Sequence, residues 1–115
     1  MKIPKETGNT IKELQNLKQH LQGFLAQKQV IQVELQEITN ALEELKKTHD
    51  EVYKILSGIM LKANKELLAK ELEEKKRLFE LRIEAIEKQE KFLEEGAEKL
   101  KEKIRGLVDK EKDKQ

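Results

Sequence analysis

The chain has no cysteine and no tryptophan, a single proline, and only one tyrosine and three phenylalanines among its 115 residues. Without cysteine there is no disulfide framework and no thiolate zinc site. Aromatic residues make up 3% and charged residues 41%, which argues against a compact single-chain core, and 115 residues allow one domain. No window approaches the ~20 apolar residues that span a bilayer. The opening MKIPKETGNT has no apolar run of the length a secretory signal needs. A cytoplasmic location with no membrane partner is the expectation. An excess of one charge is lacking too. With 24 basic residues against 23 acidic ones, a net charge of +1 leaves no electrostatic footprint for nucleic acid. There is no Gly-rich phosphate loop, and His20 and His49 have no partner at metal-ligand spacing. Neighbouring carboxylates are explained by solvated helix faces rather than by acid-base chemistry. No nucleophile-base constellation is recognisable, so neither an enzyme nor a cofactor is expected.

What is abundant is Leu, Glu, Lys and Ala, and it is strictly spaced. From Leu14, alternating steps of three and four land on Leu17, Leu21, Phe24, Lys28, Ile31, Leu35, Ile38, Leu42 and Leu45. Only Lys28 interrupts the apolar stripe. A second run passes through Ala69, Leu72, Lys76, Phe79, Ile83, Ile86, Glu90, Leu93, Ala97, Leu100, Ile104 and Leu107. A 3.5-residue repeat held this long marks a coiled-coil seam, whereas a globular helix drifts at 3.6. Helices are expected over about 8–47 and about 65–108, each near 60 Å at 1.5 Å per residue, with a charged tail 109–115 that frays. Thr7, Asn9 and Thr10 offer N-cap oxygens to the first helix and Asn64 to the second. Folded back antiparallel, the stripes pair Leu14 with Ile104, Leu17 with Leu100 and Leu35 with Ile83. This register sets Lys28 opposite Glu90, as a register-fixing ion pair or as two charges that snorkel to solvent. A slip of one heptad satisfies the same pattern. Gly23 falls nearly level with Gly96, a candidate soft point in the paired helices.

Between the helices lies VYKILSGIMLKA, residues 52–63, which reads as a β-hairpin about Ser57-Gly58. Residue-number parity places Tyr53, Ile55, Ile59 and Leu61 on one face and Val52, Leu56 and Met60 on the other, so both faces are apolar. A lone two-stranded hairpin is marginal in water and its edges are open to pairing. The hairpin is therefore an assembly platform, or else a connector tucked beneath the helices. Val52, Tyr53, Ile55, Leu56, Gly58, Ile59, Met60 and Leu61 are the candidate oligomerisation residues.

LKQHLQGFLAQKQVIQVELQEITNALEEL, VYKILSGIMLK and KELLAKELEEKKRLFELRIEAIEKQEKFL, in this order, resemble the prefoldin β subunits and cover most of the chain. The single hairpin resembles the β class, because α-class subunits carry two. The resemblance implies a mainly α fold: a long antiparallel two-helix coiled coil joined by a single β-hairpin that assembles into an intersubunit β-barrel. It implies a hexamer of two α-type and four β-type subunits, hence an α-type subunit and further copies of itself as partners. It also implies ATP-independent capture of non-native proteins at the arm tips and their delivery to a group II chaperonin. Ile3, Pro4, Ile11, Leu100, Ile104, Leu107 and Val108 match the tip by position and are the candidate client-binding residues. Lys110, Lys112 and Lys114 are the candidate chaperonin-docking residues, unless that tail is simply solvated. A coiled-coil scaffold explains the heptads equally well but not the hairpin. An RNA-binding helical arm would need a basic stripe, and acidic residues interrupt any such stripe.

Overall fold

The computed structural model describes residues 4–113. The element order is α1 (Lys5–Lys47), β1 (Val52–Leu56), β2 (Ile59–Ala63) and α2 (Lys65–Asp113). Helix α1 starts earlier than expected, with the Pro4 carbonyl accepting from the Gly8 amide at 3.0 Å. The three expected cap residues are therefore helical. Thr7 and Thr10 are buried, because the three-and-four stepping continues backwards from Leu14 through both. The Thr10 hydroxyl donates to the Glu6 carbonyl at 2.8 Å, which satisfies it inside the seam. Helix α2 begins as expected: Asn64 Oδ1 accepts from the amides of Glu66 at 2.9 Å and Leu67 at 3.2 Å. It does not stop at 108 but continues to Asp113. Glu111 lies one step of the seam beyond Leu107 and is half-buried like it, so the repeat extends into the charged tail.

The elements form two compact units, Met1–Lys28 with Ala85–Gln115, and Gln29–Glu84. In the first, the α1 seam residues Leu14, Leu17, Leu21 and Phe24 are half-buried, as are Leu93, Leu100, Ile104 and Leu107 of α2, with Ile86 and Ala97 buried. Burial follows the 3.5-residue stripe, and Lys28 and Glu90 fill two of its positions as a pair. Lys28 Nζ lies 2.7 Å from Glu90 Oε1, with side chains 18% and 13% exposed. The hydrogen bond to Glu90 raises the Lys28 pKa against the opposing effect of burial.

The expected pairing of Lys28 with Glu90 is present in this unit, and the two glycines differ in their surroundings. A Cβ built on Gly96 would meet Leu17 Cδ1 at 3.6 Å, while nothing lies within 4 Å of one on Gly23. Lys103 Nζ also approaches Glu6 Oε1 at 4.0 Å. Leu17 thus packs against Gly96, while Gly23 has no such neighbour. Side chains slant toward the start of their own helix. On antiparallel helices, side chains as long as those of Lys28 and Glu90 can therefore meet with their Cα atoms offset.

In the second unit Ile31, Ile38, Leu42 and Leu45 of α1 are buried, and Leu68, Ala69, Leu72, Phe79 and Ile83 of α2 are half-buried. Lys75 Nζ and Arg82 Cζ sit 5.7 and 5.8 Å from the Phe79 ring centre, so two cations one turn either side flank its face. The connection into the hairpin is tied by Lys65 Nζ, which donates to the Thr48 carbonyl at 2.8 Å.

Candidate interaction surfaces

Strands β1 and β2 pair antiparallel from Val52↔Ala63 to Leu56↔Ile59, leaving Ser57 and Gly58 as a two-residue turn. Both have positive φ, 50° and 78°, the signature of the type I′ turn whose twist matches the strands it joins. The pairing corrects the assignment of faces by residue-number parity. Directly paired residues point to one side of a sheet, so Ile55 shares a face with Met60, and Tyr53 with Lys62. Ile59 and Leu61 share the other face with Leu56 and Lys54.

The two faces differ in cover. Val52, Lys54 and Ala63 are half-buried on one of them, where Lys54 Nζ reaches Glu71 Oε2 of α2 at 3.9 Å. On the other, Tyr53, Ile55 and Met60 are all exposed, Ile55 by 72%. Toward the turn Leu56, Ile59 and Leu61 are exposed as well. The hairpin thus carries exposed apolar side chains on both faces, of the kind that mark an interaction site. Its base is polar: the Tyr53 hydroxyl donates to Glu51 Oε2 at 2.8 Å, and Lys62 Nζ lies 3.0 Å from Glu51 Oε1. The Tyr53 hydrogen bond, then Lys62, hold the Glu51 carboxyl below its usual range, and the same hydrogen bond raises the Tyr53 phenol. These contacts link Glu51, Tyr53 and Lys62 on the face whose apolar side chains stay exposed among the described residues.

In the other unit, the nominated tip residues separate into two groups. Pro4, Ile11, Leu100, Ile104 and Leu107 are half-buried, and Leu100, Ile104 and Leu107 sit on the seam, where they are shielded while the helices stay paired. Val108 is 42% exposed. Ile3 lies outside the described residues, as does Lys114. Lys110 and Lys112 are exposed in the last turns of α2, where positive charge is favourable to the helix dipole. Counting the seam missed Phe92, an exposed aromatic next to Leu93. Its signal was an apolar residue one place off the repeat. Among the described residues no group of carboxylate, histidine or cysteine side chains could hold a metal ion, and no helix is long and apolar enough to cross a membrane.

Known proteins with this arrangement are consistent. Residues 9–111 match the model of the prefoldin subunit family. The prefoldin subunit beta of Archaeoglobus fulgidus is 37% identical over 108 residues, covering 92% of this chain and 93% of that one. The prefoldin subunit beta of Sulfurisphaera tokodaii is 36% identical over 109 residues, covering 93% and 87%. The crystal structure of the prefoldin beta subunit from Thermococcus strain KS-1 superposes with a TM-score of 0.84 at 34% identity, covering 91% of this chain and 94% of that one. Two seam-bearing helices joined by one uncovered hairpin therefore have the sequence and the fold of one group of proteins, and the chain belongs to the prefoldin subunit family.

Proposed function

We propose that the chain is the β-type subunit of an ATP-independent chaperone that captures unfolded polypeptide at the free ends of its paired helices and delivers it to a group II chaperonin. Family membership over residues 9–111 carries this reading. The exposed hairpin supplies the physical reason for assembly. Tyr53, Ile55, Leu56, Ile59, Met60 and Leu61 are exposed, and burying them against an α-type subunit and further copies of this chain removes apolar surface from water. Val52 and the Gly58 turn hold the strands in register for that contact.

In the unit that carries both termini, Ile3, Pro4, Ile11, Leu100, Ile104, Leu107 and Val108 hold the client. Opening the terminal turns exposes the seam members among them, and an adaptable apolar surface accepts many sequences because it demands no fixed polar partner. Lys110, Lys112 and Lys114 serve as the basic patch that docks the chaperonin. The work takes place in the cytoplasm and consumes no cofactor.

The test is coexpression with an α-type subunit, followed by native mass spectrometry and an aggregation assay without nucleotide. A heterohexamer that suppresses aggregation of a chemically unfolded protein is expected. Leu107→Ser combined with Val108→Ser should weaken suppression while leaving the mass unchanged. Charge reversal at the three tail lysines should weaken chaperonin association and flatten its salt dependence. A complex that leaves aggregation untouched yet binds one folded partner tightly would overturn the reading in favour of a coiled-coil scaffold.

A further inference from the structure

Phe92 is out of keeping with its position. Leu93 falls on the seam and Phe92 beside it, among Lys88, Lys91, Glu94 and Glu95. At 75% it is the most exposed large apolar side chain among the described residues. Val30, Val33, Leu78 and Leu81 are also exposed off the seam, but Phe92 alone among these exposed helix residues is aromatic.

The side chain borders an open groove of about 360 Å³, completed by His20, Phe24, Lys88, Gln89 and Leu93. Two of the three phenylalanines of the chain meet there. The groove is open to solvent, so an occupant would lie along it rather than be enclosed. From Gln19 to Gln27 helix α1 carries no Asp, Glu, Lys or Arg. The α1 wall thus has no fixed charge with which to select a partner's charge pattern. A folded partner with a constant interface is normally matched by complementary charge around an apolar centre. A wall that is aromatic and charge-neutral instead suits an occupant whose neighbouring charges vary. Gly96 lies one turn beyond Phe92 and adds no side chain to obstruct that end of the flank.

We propose that this groove is a second capture site for non-native polypeptide, taking aromatic and aliphatic side chains of an extended segment at a distance from the tip. The proposal rests on the chaperone reading above. It predicts that a client is held at two places on one helix pair, so that two weak apolar contacts act together through the linking client chain.

The experiment uses the assembled complex and reduced, carboxymethylated α-lactalbumin, a permanently unfolded probe. A photo-crosslinking residue at Gln89 should couple to the probe, and Phe92→Ser should weaken probe binding by about tenfold. The complex mass and melting temperature should stay unchanged, because the ring is mostly in solvent. Wild-type affinity in Phe92→Ser, or crosslinking to a neighbouring subunit in place of the probe, would overturn the proposal. If Leu107→Ser with Val108→Ser weakens binding and Phe92→Ser does not, the groove proposal fails and the chaperone reading survives. If the wild-type complex does not bind the probe, both fail.

Discussion

Replacing Gly96 and Gly23 with alanine tests the described packing of the helix pair at two points whose surroundings differ. Each glycine is interior to a long helix, where glycine is less favourable than alanine by about 1 kcal/mol. At Gly96 the new methyl would meet Leu17 Cδ1 at 3.6 Å, an ordinary van der Waals contact. Gly96→Ala should therefore stabilise by about 1 kcal/mol, plus a few tenths for the added apolar contact. At Gly23 no atom lies within 4 Å, so the helix-propensity term acts alone and about 1 kcal/mol is expected. The sites share no contact, so the double variant should gain about 2 kcal/mol, additive within about 0.5 kcal/mol. For a chain of this length that is a rise in melting temperature of roughly 4 °C for each substitution. Circular dichroism at 222 nm during thermal and urea unfolding reads both quantities. Destabilisation by Gly96→Ala would refute the packing described, because it would mean that Leu17 or another atom already occupies the space. Marked non-additivity would mean that the glycines do stand level and share one soft point, as the equal-height register supposes.

The turn and the half-buried ion pair give further tests. Gly58→Ala should cost about 1 kcal/mol or more, since φ is +78° there. Ser57→Asn should be stabilising, because asparagine tolerates the left-handed backbone that Ser57 already adopts; unchanged assembly midpoints in both variants would contradict the turn geometry. The raised Lys28 pKa means that the folded state binds this proton more tightly than the unfolded chain. Its contribution is full below the ordinary lysine range and is lost as pH rises through the raised value. Lys28→Arg, which keeps its charge, should remove that part of the alkaline loss when melting temperatures from pH 7 to pH 11 are compared with wild type. Identical profiles would show that the pair contributes nothing.

The seam could be read from the sequence because its information is one-dimensional: a 3.5-residue repeat specifies burial without knowledge of the partner. The structure buries or half-buries every member from Leu14 to Leu45 and from Ala69 to Leu107. Thr7 and Thr10 were misread because threonine near a helix start usually caps, whereas the same stepping that finds Leu14 also reaches them. The register was less legible. Apolar pairs recur every heptad, and even the Lys28–Glu90 pair fixes height poorly when long side chains slant in opposite directions. In the hairpin the strands and turn were legible from Ser57-Gly58 and β-branched neighbours. The sharing of faces was not, because pairing across a two-residue turn joins odd to even residue numbers. Phe92 was hidden by its neighbour, since counting Leu93 onto the seam leaves the adjacent ring unexamined.

The distribution of apolar bulk also explains why one chain can be firm in one place and yielding in another. In the unit that carries the hairpin, buried seam positions are filled by Ile31, Ile38, Leu42 and Leu45, side chains whose burial contributes about 1.5–3 kcal/mol each. In the other unit, the first two seam positions of α1 are Thr7 and Thr10, also buried. A threonine offers the seam one methyl and a hydroxyl, which at Thr10 is satisfied by the Glu6 carbonyl and at Thr7 is buried without a hydrogen-bond partner. The same depth of burial therefore yields much less free energy there, and the terminal turns are the cheapest part of the seam to open. Replacing both threonines with valine would keep the shape and remove the hydroxyls. If opening is how the seam residues reach a client, that variant should be more stable yet capture unfolded chains less well. Capture that is equal or better would mean that the half-buried residues bind without opening, through surface already exposed at Val108.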